Sequence, residues 1–151
     1  MVTPRRSASP WNGWFNYTWS RVTDREDGTD TPRSWDQTWA ATAGVNWTRG
    51  DWRFGAITSA HRGWPTTRVL PTLLGERNAA RFRSRIGLDL RAQYSRPLAV
   101  GRLAVTIEVT NALNIGNSCC QELMSSPDGN GGVVFATRRS DWLPVVPSVG
   151  V

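Results

Sequence analysis

The sequence predicts an all-β chain: an antiparallel, up-and-down array of about five full strands and a truncated sixth, part of a larger transmembrane β-barrel. Three observations carry this reading. The first is strict alternation between Arg81 and Asn114. Phe82, Ile86, Leu88, Leu90, Ala92 and Tyr94 occupy even positions, while Arg81, Arg83, Arg85, Asp89, Arg91 and Gln93 occupy odd ones. After an interruption at Pro97 to Gly101 the pattern resumes with Leu103, Val105, Ile107 and Val109 apolar, against Thr106, Glu108 and Thr110. A period of two is the mark of a strand with one apolar and one polar face, so the stretch reads as a hairpin. Second, each arm runs to about twelve residues, roughly twice the usual strand and enough to cross a bilayer at a tilt. Third, the connections between strands alternate long, short, long, short, long, the asymmetry of barrels with short turns at one rim and long loops at the other.

Taken in order, residues 1–10 are rich in Pro, Arg and Ser and read as an irregular N-terminal segment. The barrel part spans 11–151. Trp11 to Val22 alternates, with Trp11, Phe15, Tyr17 and Trp19 on one face and Trp14 as an aromatic exception on the polar face. Thr23 to Asp36 is acidic and carries Gly and Pro, so it reads as a long loop. Gln37 to Thr48 puts Trp39, Ala41, Ala43, Val45 and Trp47 on one face. Its two Trp are separated by roughly 26 Å at about 3.3 Å per residue, near the height of an apolar band flanked by aromatics. Arg49-Gly50 is expected to turn the chain, setting Trp47 opposite Trp52 and Val45 opposite Phe54. Asp51 to Arg62 forms the partner strand, Gly63 to Ala80 a second long connection, and the Arg81–Asn114 hairpin follows with Ser95 opposite Arg102. Ile115 to Trp142 is the longest loop, with room for a short strand at Val133 to Ala136. The closing Val145, Val149 and Val151 share a parity, as at the start of a strand.

Composition narrows the alternatives. With 39% hydrophobic residues the chain holds no run approaching a membrane helix, whereas a barrel strand needs apolar residues only at alternate positions. The net charge is +6 and every basic residue is Arg. The arginines are dispersed through strands and loops, unlike the clustered patch of a nucleic-acid binder. Cys119 and Cys120 are adjacent and cannot staple distant parts of a fold. The N-terminal MVTPRRSASPWNG has no apolar core after its charges, so it does not read as a secretory signal. Alternation gives two faces without saying which is inside. A soluble, Trp-rich all-β module that binds glycans or nucleic acid is therefore the alternative.

Several segments in order resemble the C-terminal barrel of TonB-dependent outer-membrane receptors: Asn16 to Arg21, Pro32 to Gln37, Arg62 to Thr67, Arg77-Asn78, Ile86 to Arg91, Glu108 to Asn114, and Asn117 to Cys120. The resemblance covers nearly all of the chain from Trp11. It implies a piece of a plugged Gram-negative transporter barrel that takes up siderophores, vitamins or other small ligands. It also implies a place in the cell outer membrane, and as partners the membrane lipid, the rest of the barrel with its plug domain, and the TonB complex. A signal peptide, plug and TonB box would lie upstream, and no nucleic acid or cofactor is implied.

The candidate ligand-binding residues are those on the polar side of the long hairpin: Arg81, Arg83, Arg85, Asp89, Arg91 and Glu108. A row of arginines there would favour an anionic ligand, or would form a solvated wall with local ion pairs, Glu108 lying diagonal to Arg91. Cys119 and Cys120 are candidates for a vicinal disulfide or for ligand contact in the last loop, set against a local structural role. His61, without companion ligands, reads as a surface histidine rather than a metal site. No nucleophile, base and orienting group occur together, so an enzyme is not expected.

Overall fold

A computed structural model describes residues 9–151; residues 1–8, most of the expected irregular segment, lie outside the described residues. The chain is all-β and antiparallel. In order, its strands are β1 (Trp11–Trp19), β2 (Thr23–Glu26), β3 (Thr29–Pro32), β4 (Trp39–Arg49), β5 (Trp52–His61), β6 (Pro65–Thr66), β7 (Val69–Leu70), β8 (Leu73–Leu74), β9 (Ala80–Arg81), β10 (Arg85–Pro97), β11 (Arg102–Thr110), β12 (Ser118–Pro127), β13 (Val133–Asp141) and β14 (Val146–Gly150). Six of them form one sheet in the order β1-β4-β5-β10-β11-β14, a plain meander. The sheet is open: β1 and β14 are its edges, and the expected barrel is not closed by this chain. All tight connections lie at one end of the sheet, the turn end, and all long ones at the other, the loop end.

Every register agrees on one division into faces. Trp47 pairs with Trp11 and Phe54, Phe54 with Ala92, Ala92 with Ile107, and Ile107 with Val149, which makes one apolar row across six strands. The next row but one contains Val45, Ala56, Leu90 and Val109. The opposite face carries Asn46, Arg53, Asp89, Arg91, Gln93, Thr106 and Glu108. Because side chains alternate strictly, most of the apolar set falls on one side once the turns are fixed, with Trp14, Ile57 and Val146 as exceptions on the polar face.

Two turns differ from expectation, each by two residues. Arg49, not Trp47, faces Trp52, and the turn residues are Gly50 and Asp51. Gly50 has φ 59° and Asp51 does not enter the left-handed region, the pattern of a type II′ turn, which wants glycine at its first central position. In the long hairpin Pro97 faces Arg102, so Ser95 faces Ala104, and Glu108 stands directly opposite Arg91 rather than diagonal to it. A shift of two leaves every residue on its face, so the pattern was right and the partners were wrong. β10 also starts at Arg85 and β11 has only 9 residues, which removes Arg81, Phe82 and Arg83 from the sheet.

The long connections are not irregular. The segment 23–32 folds as the hairpin β2–β3, 65–81 contributes the pairs β6–β9 and β7–β8, and 118–141 forms the hairpin β12–β13, much longer than the strand expected at Val133 to Ala136.

What is absent from the described residues is a hydrophobic core. None of their buried residues is a large apolar one; the buried polar set is Asp36, His61, Asn78, Asn111 and Asn117. The accessible surface is 11612 Å², against roughly 7,700 Å² for a compact monomer of this mass. The apolar side chains are instead displayed. Trp11, Phe15, Tyr17 and Trp19 along β1 are all exposed, as are Val45, Phe54, Leu90 and Ile107.

Aromatics gather in two belts on that face. At the turn end, ring contacts run from Trp11 to Trp47 (6.3 Å), Trp47 to Phe54 (5.6 Å), Phe54 to Trp52 (5.7 Å) and Trp52 to Tyr94 (5.0 Å). At the loop end Trp19 stands opposite Trp39. Phe82 belongs to neither belt, because it lies beyond the start of β10.

Trp14, the aromatic on the polar face, has a local reason. It sits opposite Gly44, and a Cβ added at Gly44 would lie 2.5 Å from the indole Nε1 and 2.6 Å from Cε2. The ring lies across the bare backbone. Gly44→Ala is expected to push the indole off the strand and destabilise the β1–β4 edge by about 1–3 kcal/mol, read as weaker amide protection along Trp11–Trp19. Unchanged protection would show that the ring moves freely.

Candidate functional site

Short polar bonds gather the connections at the loop end. Asp36 is the pivot, its side chain only 1% exposed. Its Oδ2 accepts from Arg81 Nη2 at 2.5 Å and from Thr38 Oγ1 at 3.0 Å, and its Oδ1 accepts from the Val22 amide at 3.0 Å. Arg81 Nη1 also donates to the carbonyls of Asp36 (2.8 Å) and Gly63 (3.1 Å). Burial raises the Asp36 pKa, but the bonds from Arg81, the Val22 amide and Thr38 outweigh it, and the carboxyl is held below its ordinary value. Arg81 is thus a clamp between the first two long connections, not a free lumen charge.

Arg77 adds ion pairs to Asp24 and Glu26, and asparagines supply further ties. Asn78 donates to the Pro32 carbonyl (2.7 Å) and takes φ 57°. Asn117 binds both backbone groups of Ile86, accepting from its amide at 3.1 Å and donating to its carbonyl at 2.8 Å, so the side chain acts as a strand partner. Asn111 and Asn114, at φ 51° and 49°, end β11. The Asn111 amide donates to Asp89 Oδ1, its side chain donates to the Ile115 and Leu143 carbonyls, and Asn114 Oδ1 accepts from the Val145 amide. Asn tolerates the left-handed region better than other non-glycine residues, which accounts for its use at these ends.

The six residues proposed from sequence are therefore separated. Arg85, Asp89, Arg91 and Glu108 share the polar face, and Arg91 reaches Glu108 at 3.2 Å. Both partners of that pair are about half exposed, so it contributes at most ~1 kcal/mol. Asp89 is engaged by Asn111. The Arg85 guanidinium lies 5.2 Å from the Trp142 ring centroid. Arg83 is exposed between β9 and β10, away from the others. The structure does not bring the six into one anion-binding cluster.

His61 departs from the surface position expected of it. It is 8% exposed and stacks on Trp64 at 5.2 Å. Its Nδ1 lies 2.8 Å from the Arg62 carbonyl, so Nδ1 carries the proton and donates.

The loop end does form one concave site that the sequence reading missed. A cleft of about 550 Å³ is lined by Trp35, Trp64, Phe82, Leu74, Cys119 and Cys120, with Thr66, Asn78 and Gln121 at its polar edges. Its volume lies in the range of small-molecule sites. Trp35 and Trp64 meet edge to face at 4.7 Å. Among the described residues no charged side chain lines the cleft. Its amides are already committed: Gln121 accepts from Thr66 Oγ1 (3.0 Å) and donates to the Thr67 carbonyl (3.2 Å). Such a cleft suits an uncharged, apolar or aromatic group. The available signal was Trp within polar loops, at PRSWDQ and RGWPTT, where a solvated loop has no use for an indole.

Both cysteines are free thiols. Burial, then the neighbouring Cys120 thiol, pushes the Cys119 thiol up to about 11. No group of three metal-ligating side chains occurs among the described residues. Comparison of the chain with family models, with curated proteins and with solved structures finds no match.

Proposed function

We propose that the chain is a wall segment with external loops of an outer-membrane TonB-dependent receptor, which takes up siderophores, vitamins or other small ligands. One observation carries the membrane part: the described residues are inverted relative to a water-soluble domain, with polar groups buried and a continuous apolar face displayed between two aromatic belts. Trp11 and Trp19, like Trp47 and Trp39, are separated by roughly 26 Å of extended strand, which with tilt suits an apolar band of about 25 Å. From the turn-end belt inward, Val45, Phe54, Leu90, Ile107 and Val109 line an open groove, a surface suited to acyl chains. Lipid would not tolerate the free edges of β1 and β14, so strands from the rest of the barrel are required beside them. The receptor assignment rests on the ordered segments from Asn16 to Cys120 that resemble that family. The loop-end cleft is the proposed point of ligand contact, and no catalytic role is proposed.

Refolding the chain into vesicles of lipid brominated at defined depths tests the wall reading. Trp fluorescence is expected to be quenched most by shallow bromines, at the depth of the belts. A chain that folds as a monomer in detergent-free buffer and shows no quenching would overturn it. The receptor assignment has a separate test: coding sequence upstream of Met1 is expected to encode a plug domain, and any other domain there would remove the assignment while leaving the wall reading intact.

A further inference from the structure

We infer that Cys119 and Cys120 form a dithiol site at the mouth of the loop-end cleft, built to capture a soft, thiophilic centre that carries one apolar substituent. In a regular strand two adjacent side chains point to opposite faces and could not act together. Here β12 is irregular at this point: Ser118 pairs with Asp141 and Cys120 with Ser140, which leaves Cys119 as an extra residue in a bulge. The consequence is that both cysteines line the same cleft, with Cys119 Sγ held 3.4 Å from the Ser140 carbonyl.

The remaining lining selects the ligand. The chain has two cysteines, and the described residues supply no third metal-ligating side chain beside them, so a four-coordinate ion would lack ligands. A mono-organic trivalent arsenical needs only two sulfurs; its third valence is the organic group. Trp35, Trp64, Phe82 and Leu74 form an uncharged pocket for that group. The exchange balances without an oxidant. Phenylarsine oxide reacts with both thiols, two As–S bonds form, the two thiol protons leave with the arsenic-bound oxygen as water, and arsenic stays trivalent. The inference goes beyond the membrane-wall reading and does not depend on it, because the titration runs equally in micelles or in buffer.

The test is titration of the phosphine-reduced full chain with phenylarsine oxide, counting residual thiols and following Trp fluorescence. One arsenical is expected to consume both thiols. Cys119→Ser and Cys120→Ser should each weaken binding at least about 100-fold, since the second As–S bond forms intramolecularly. Trp35→Ala, which alters the cleft lining and leaves both sulfurs in place, should weaken phenylarsine oxide while leaving inorganic arsenite unchanged. Circular dichroism on each variant separates lost binding from lost fold. Undiminished binding by a folded single-serine variant, or no uptake by the reduced chain, overturns the dithiol site. Equal affinity for phenylarsine oxide and arsenite overturns the cleft's part in it.

Discussion

Asp36→Asn is expected to loosen the whole loop end, at a cost of about 3–5 kcal/mol, because it strips the Arg81 guanidinium of its buried counter-charge. Asp36 is almost completely enclosed and joins Arg81, the Val22 amide and Thr38 in one bonded set. Arg81→Met should cost a similar amount by stranding the carboxylate. Hydrogen exchange at the amides of Val22 and Phe82 reads the effect locally, where a change in the six-stranded sheet would not appear. The sign of the pH dependence follows from the lowered pKa of Asp36. Folding favours the ionised form, so the contribution is fully present above the unfolded value of about 3.8 and is lost as pH falls through the lower folded value. Wild-type protection should therefore fall in strong acid, while Asp36→Asn stays flat over the same window. A wild type and variant that lose protection in parallel would show that the clamp is not the acid-sensitive element.

Ala43→Arg is the second large effect. Ala43 lies on the apolar face midway between Trp39 and Trp47, in the row with Phe15 and Thr58. If that face meets lipid, an arginine there sits at the bilayer midplane and costs about 2–4 kcal/mol. Thr42→Arg, one residue away on the polar face, should cost ~1 kcal/mol or less. Urea titration of the vesicle-inserted chain measures both. Equal costs at Thr42 and Ala43 would overturn the assignment of the apolar face to lipid. The outcome bears directly on the alternative of a soluble binding module, since an alanine facing water accepts arginine with little change.

The alternation along Trp11–Trp19, Trp39–Arg49, Trp52–His61 and Arg85–Pro97 was legible because it records a local rule: successive side chains point to opposite faces. Partners were less legible, since two registers two residues apart give identical faces, and only turn geometry at Gly50-Asp51 and at 98–101 chooses between them. The hairpin β2–β3 was legible in principle. It turns on Asp27-Gly28, both at positive φ, and Asp-Gly is a strong hairpin signal that the surrounding acidic residues obscured.

The loop-end site was not legible in the same way. Arg81 and Arg91 look equivalent in sequence, yet one is locked onto Asp36 across 45 residues of chain and the other faces an exposed Glu108. The cleft draws Trp35, Trp64, Phe82 and Cys119 from connections that no periodicity relates. The sequence by itself determined the all-β class, the strand faces and the alternation of long and short connections, because each is written in side-chain spacing. Only the tertiary structure decided which polar groups are buried together and where the concave site lies, because those depend on long-range hydrogen bonds from Asp36, Asn78, Asn111 and Asn117, which have no local signature.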